Sequence, residues 1–299
     1  MQILLTGGTG FIGASLARRL LLQGHALTVL SRNPEKAPAL FGAAVTVWSS
    51  ISQWHENTHF DAVINLAGEP IIDKAWTAQR KQALLDSRVG ITGQLITAMH
   101  NAHRKPYIFL SGSAIGVYGD CGQAICTESA AAGRDFAAQL CQQWEQAAYK
   151  AEAFGVRVAL LRTGLVLARH GGMLKKMIVP FSFGVGSQLG DGRQMMSWIH
   201  LDDYIEALLF LLECEDCHGA FNMTAPNPVS NRQFSRELAG SVKRSVLFST
   251  PEWALKPVLG ERSLLLFGGQ RVLPGKLLSH GFQFRYPKLI DALKNINVN

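Results

Sequence analysis

Apolar residues first gather in the run Ile3 to Leu5, which gives way to glycines. Ala14 to Leu22 then repeats its apolar positions at helical spacing, and Ala26 to Leu30 returns to a short β-prone run. The pattern is β-turn-α-β. It recurs, with Ala62 to Leu66 as a strand, about Ala78 to His103 as a helix, Tyr107 to Leu110 as a strand, Phe136 to Phe154 as a helix and Val156 to Leu161 as a strand. Strands that alternate with helices predict an α/β fold with a doubly wound parallel sheet, because a parallel neighbour is reached only through a crossover.

From Leu165 the alternation stops and loops rich in Gly and Pro take over, among them G-G-M-L, P-F-S-F-G-V-G and G-D-G-R. Asp202 to Leu212 reads as one more helix, Gly219 to Met223 as a short strand, and Ser230 to Gly240 as a helix with Ser230 or Asn231 as its N-cap. The division expected is a nucleotide-binding domain over residues 1–165, to which the helix Asp202–Leu212 returns, and a smaller carboxyl-terminal substrate lobe over 166–299. That lobe belongs over the carboxyl edge of the sheet, where open α/β sheets bind ligands.

A chain of 299 residues with 47% apolar and 17% charged residues can bury a large core. The formal charge of +7 and pI near 9.3 would suit an anionic partner. Lys and Arg are scattered in nothing longer than pairs such as Lys175 and Lys176, so no nucleic-acid-binding arm stands out and a small anionic cofactor fits better. Cys214 and Cys217 form C-x-x-C with only His218 beside them, which favours reduced structural thiols over a metal site. The apolar stretch Ala207 to Leu212 is far shorter than the ~20 residues that span a bilayer, and no signal peptide is visible, so the expectation is a cytoplasmic protein with no membrane partner.

Thr6 to Gly13 reads T-G-G-T-G-F-I-G and places Gly7, Gly10 and Gly13 between the first strand and the first helix. That is the context a dinucleotide requires: glycine permits the tight turn and close approach, and free amides at the helix start attract pyrophosphate. The sheet is therefore expected to be of Rossmann type. After the second strand, where an NAD-binding protein places an acidic residue, stand Ser31 and Arg32. A guanidinium binds a 2′-phosphate through charge-assisted hydrogen bonds, so NADP(H) is the expected cofactor.

With D-A-V-I-N-L-A-G (Asp61 to Gly68), S-G-S-A-I-G-V-Y-G (Ser111 to Gly119), L-L-R-T-G-L-V-L (Leu160 to Leu167) and S-W-I-H-L-D-D (Ser197 to Asp203), the chain resembles the extended short-chain dehydrogenase/reductase superfamily. More narrowly it is similar to epimerase family proteins of the SDR39U1 type, through N-L-A-G-E-P, W-E at Trp144 and Glu145, G-G-M-L, A-P-N-P, and G-Q-R-V-L-P-G-K-L with G-F-Q-F-R-Y-P in a family-specific segment of about 246–295. Motif and resemblance together imply a cofactor site of Gly7, Thr9, Gly10, Phe11, Ile12 and Gly13, then Ser31 and Arg32, then Leu66, Ala67, Gly68 and Glu69, with Arg88, Ser111 and Val166. Val166 is expected near the nicotinamide and Glu69 near ribose or substrate. Arg88 has two readings, a cation near the phosphates or a surface residue paired with Asp86.

The resemblance implies an epimerase-like oxidoreductase acting on a small molecule of nucleotide-sugar type. Its members use a Ser or Thr that binds the reacting oxygen, a Tyr that transfers a proton and a Lys that lowers the Tyr pKa. Ser113 fits the first role. The Tyr and Lys positions fall at Ala137 and Cys141. Tyr118 is a candidate from the neighbouring loop, with a packed aromatic as the favoured alternative. Asp202 is expected as an N-cap and His200 as a buried, hydrogen-bonded ring. Trp76, Trp198 and Arg193 are candidates to shape a substrate pocket. The other reading, from a different class, is an NADP(H)-binding sensor that has lost turnover.

Overall fold

The computed structural model describes residues 1–296. Its centre is a seven-stranded, wholly parallel sheet built on β1 (Gln2–Thr6), β2 (Ala26–Leu30), β3 (Val45–Trp48), β4 (Ala62–Asn65) and β5 (Ile108–Ala114), joined by the strands Arg157–Thr163 and Gly219–Met223. The spatial order is Gly219–Met223, Arg157–Thr163, β5, β4, β1, β2, β3. The order reverses at β1, between β4 and β2, and the glycine turn opens there, at the switch point where such sheets hold ligands.

Strands buried on both faces need apolar residues at consecutive positions. Ile3, Leu5, Ile64, Leu110 and Leu161 point to one face and pack against α1 (Phe11–Leu22) and the helix Leu201–Glu213. Leu4, Val63, Phe109, Val158 and Leu160 point to the other face, toward the helices Ile91–Asn101 and Phe136–Tyr149. The helix α1 buries Gly13, Leu16, Ala17 and Leu20, an i, i+3, i+4, i+7 stripe that fixes which face meets the sheet. A third cluster, with Trp198, Phe234, Leu238, Leu289 and Leu293, forms the core of the carboxyl-terminal lobe.

The structure adds one placement to the sequence reading and corrects two local expectations, the Asp202 cap and the free thiols of Cys214 and Cys217. The strand Gly219–Met223 forms the edge of the main sheet beside Arg157–Thr163, so the chain returns to the sheet with a strand as well as with the helix Leu201–Glu213. Arg157 ties the two together by donating to the carbonyls of Leu211, Leu212 and Cys217. The Leu201–Glu213 helix is capped by His200, whose Nδ1 accepts from the Asp202 amide, whereas Asp202 lies inside the first turn. Its neighbour Asp203 is buried and accepts the amides of Arg285 and Tyr286, which anchors the end of the lobe. Cys214 and Cys217, expected as free thiols, are joined in a disulfide, because the turn ending this helix brings their Cα atoms to 5.4 Å. Among the described residues no helix is long and apolar enough to cross a membrane, and no group of His, Cys, Asp and Glu is arranged to hold a metal ion.

Candidate functional site

The turn after β1 explains two of its three signature glycines by backbone contact alone. Gly7 has φ +69°, and a Cβ there would lie 2.5 Å from the Leu66 carbonyl oxygen. A Cβ on Gly13 would collide with the Gly7 backbone. Gly10 differs: an added Cβ would meet only the Gly7 carbonyl oxygen, at 3.1 Å, and Gly10 is exposed toward a groove. Its side-chain space is therefore left for something that approaches from outside, which is the fit required by a diphosphate lying on the first amides of α1.

That groove has a volume of 640 Å³ and runs over Gly7, Thr9 and Gly10, past Ser31 and Arg32, to Leu66, Ala67, Gly68 and Glu69. A buried relay shapes its floor: Thr6 Oγ1 donates to Asn65 Oδ1 at 2.6 Å, Asn65 Nδ2 donates to Thr92 Oγ1 at 2.9 Å, and the Ala67 amide donates to Thr6 Oγ1 at 3.2 Å. The Ser31 hydroxyl closes a local turn with Asn33, and the Arg32 side chain is 80% exposed over the groove's rim. Arg32 reaches Glu69 at 3.1 Å, while Arg80, itself buried, holds the other Glu69 oxygen. The hydrogen bond from Arg80, followed by that from Arg32, pulls the Glu69 carboxyl below its ordinary pKa.

Four residues expected at the cofactor are not among those that line this groove. The half-buried Ile12 side chain packs against the sheet's core, and Val166 is buried within it. Ser111 is fully buried in β5 opposite Asn65, and its hydroxyl has no hydrogen-bond partner. Arg88 is not a surface residue paired with Asp86. It lies in a single π-helical turn, Asp86–Gly90, that rotates it under the groove, where it donates to the Glu69 carbonyl at 2.8 Å and lies over the Trp144 ring. Asp86 accepts from Gln82 instead. The same turn carries Ser87, whose hydroxyl accepts the Glu69 amide, so both residues shape the loop that holds Glu69 at the groove.

Beyond Gly10 and Glu69, their sequence neighbours Phe11 and Pro70 line a second and larger cavity, of 740 Å³, under the carboxyl-terminal lobe. A smaller chamber of 230 Å³ adjoins it, sharing Ile71, Ile115, Leu165 and Gln270 as walls. The vacated Tyr and Lys positions, Ala137 and Cys141, line this chamber with Trp76. Burial pushes the Cys141 thiol up to about 12, so it is a neutral wall and not a thiolate. Trp198, expected near a pocket, is fully buried in the lobe and donates to the Asn227 carbonyl. Arg193 is exposed beside Asp191 over a separate surface hollow.

Ser113 and Tyr118 belong to one buried network. Ser113 Oγ donates to Glu145 Oε1 at 2.6 Å, and Glu145 accepts Arg162 through both oxygens, at 2.8 and 2.9 Å. Arg162 also donates to the Tyr118 hydroxyl at 2.9 Å and to the Glu128 carbonyl at 3.0 Å, and Tyr118 donates to Asn222 Oδ1 at 2.7 Å. Asn222 in turn donates to the Leu273 carbonyl. Burial raises the Tyr118 pKa more than the Arg162 charge and hydrogen bond lower it, which opposes the shift a proton-transferring tyrosine needs. Sequence reading missed Glu145, Arg162 and Asn222 as partners. Glu145 and Arg162 stand inside quoted motifs, but nothing in a linear motif tells which residues meet across three strands.

The model of the NAD dependent epimerase/dehydratase family matches residues 3–223, and that of a domain of unknown function, DUF1731, matches residues 250–296. The chain is 37% identical over 302 residues to the Arabidopsis thaliana protein named epimerase family protein SDR39U1 homolog, chloroplastic, covering 99% of this chain and 86% of that one. It is 37% identical over 299 residues to the Bacillus subtilis epimerase family protein YfhF, covering 99% and 98%. The crystal structure of human epimerase family protein SDR39U1 (isoform 2) with NADPH superposes with a TM-score of 0.91 at 32% identity, covering both chains completely.

Proposed function

This chain belongs to the NAD dependent epimerase/dehydratase family, and from that premise we propose that it is an NADP(H)-dependent, epimerase-like oxidoreductase. The dinucleotide lies in the 640 Å³ groove, and a small molecule occupies the cavity beyond Phe11. The observation that carries the cofactor choice is the end of β2, where Ser31 and the exposed Arg32 line the groove in place of a carboxylate. Glu69 also faces the groove, but Arg80 offsets its charge from behind and leaves Arg32 able to turn to a phosphate. The human relative bound to NADPH supports the same choice.

Bound NADP(H) supplies or accepts a hydride; the chain's own residues cradle it and wall the chamber. The test is equilibrium titration of NADPH and NADH against wild type and Arg32→Asp. A hydrogen bond to a charged group is worth ~1.5–3 kcal/mol, so NADPH affinity should fall roughly 10- to 100-fold in the variant and the preference should reverse. An unchanged preference removes Arg32 as the discriminator.

One observation favours the second reading, an NADP(H)-binding sensor with little turnover. Ala137 and Cys141 replace the proton-relay pair, while the hydroxyl protons of Ser113 and Tyr118 are committed to Glu145 and Asn222. Hydride exchange between bound NADPH and a panel of sugars and carbonyl compounds separates the two, since a sensor binds NADPH without exchange.

A further inference from the structure

The 740 Å³ cavity is large enough for a drug-sized molecule, and the chemistry of its wall limits what that molecule is. Four of the chain's seven methionines, Met173, Met177, Met195 and Met196, line it together with apolar residues from Phe11 to Leu266. Methionine side chains adapt to irregular apolar shapes, and they offer no strong hydrogen bond.

The hydroxyls, and the amide nitrogens of the glutamines, in the wall are bonded within the protein. Ser197 donates to the Gln270 carbonyl at 2.6 Å, and Ser187 is paired with Thr250 at 2.6 Å. The amide nitrogens of Gln194 and Gln270 donate to backbone carbonyls, and the Asn231 oxygen accepts the Leu189 amide. The charged residues of the lining are Asp73 and Lys176, which neutralise each other at 2.7 Å on the exposed margin. No arginine lines the cavity among the described residues. At the start of the helix Gly172–Ser182, the Phe11 ring packs against Gly171 and Gly172.

A nucleoside diphosphate needs cationic or amide donors for two phosphates, and burying it without them costs several kcal/mol per unpaired charge. We infer that this cavity takes an uncharged, largely hydrocarbon molecule, and that a nucleotide sugar is not its occupant. The inference rests on the cofactor reading only in placing this cavity next to the nicotinamide end of the groove; the wall chemistry stands without it.

The experiment is isothermal titration of the full chain, with and without saturating NADPH, using 2-hexanone, 2-octanone and 2-decanone as probes and UDP and UDP-glucose as the nucleotide arm. Burying each methylene is worth ~0.8 kcal/mol, so affinity should rise about 15-fold for each two-carbon step. Met177→Lys should weaken 2-decanone binding at least tenfold while leaving NADPH affinity unchanged, and Met177→Leu should retain both. Ketone affinity independent of chain length, or displacement of 2-decanone by UDP at lower concentration, overturns the inference. Failure of the cofactor reading shows separately, as absent NADPH binding in protein that still binds 2-decanone.

Discussion

Removing the Glu145 side chain tests whether the buried network is a structural keystone of the sheet. In Glu145→Ala, the Arg162 guanidinium, whose side chain is 12% exposed, keeps only the Tyr118 hydroxyl and the Glu128 carbonyl as partners. Burial alone disfavours the Arg162 charge, and the hydrogen bonds and charge of Glu145 more than reverse this, so the pair holds the guanidinium above its ordinary pKa. Breaking a buried pair by deleting one partner costs ~3–5 kcal/mol. An exposed pair such as Lys81 with Glu261, at 30% and 58% exposure, is worth ~0–1 kcal/mol, which makes Lys81→Ala the control. Urea unfolding followed by tryptophan fluorescence reads all variants, and Trp144 stands next to the deleted group. Arg162→Ala should cost a similar amount, and the double variant should fall short of the sum by about 2–3 kcal/mol. A coupling within ~0.5 kcal/mol of zero would refute the argument, because distant sites add to that precision.

Three further outcomes are expected. Gly10→Val should stay folded and lose NADPH binding, since its Cβ meets one close protein atom, the Gly7 carbonyl oxygen at 3.1 Å, which must give by a few tenths of an ångström, while the rest of the side chain enters the space of a diphosphate; a folded variant with wild-type affinity would mean that the groove is not the cradle. If hydride transfer is found, Ser113→Ala should slow it at least tenfold with NADPH affinity retained, and Tyr118→Phe should slow it little; a full-rate Ser113→Ala defeats the inherited role, and an inactive, stably folded Tyr118→Phe makes that phenol the proton donor. Cys141 should resist iodoacetamide at pH 8 in the native protein and react on unfolding. Its folded pKa is raised above that of the unfolded chain, so its contribution to stability is complete below ~9 and is lost as pH rises toward about 12. Cys141→Ala should flatten the fall in stability across that window, and an unchanged slope would rule Cys141 out as its source.

Periodicity made the sheet legible because each central strand is a continuous apolar run flanked by a helix with its own stripe. It did not reveal β3, whose four residues V-T-V-W follow a short helix and are too few to show a period. Nor did it place Gly219–Met223, since a strand's partner is set by the fold and not by its own residues. The glycine turn was readable for the opposite reason: backbone contact and ligand approach impose residue types at fixed positions. Arg88 was ambiguous because a π-helical turn shifts side chains from α-helical spacing, and no local residue announces it. The Ser113, Glu145 and Arg162 contact joins residues 17 and 32 positions apart, so a motif reading saw its members without their meeting.

The late arrival of the Gly219–Met223 strand has a consequence for how the chain is made. Thr163 completes the strand that Gly219–Met223 must cover, and sixty residues separate Thr163 from Met223. At ~5–20 residues per second, the ribosome leaves that edge unpaired for roughly 3–12 s. During that interval the amides and carbonyls of an apolar strand are open to pairing with another chain. Arg162 stands on that strand with its partners Tyr118, Glu128 and Glu145 already made, and only Asn222, the acceptor of the Tyr118 hydroxyl, is still to come. A charge on an open strand disfavours pairing with a foreign sheet, and Arg162 places one on this strand before Asn222 arrives.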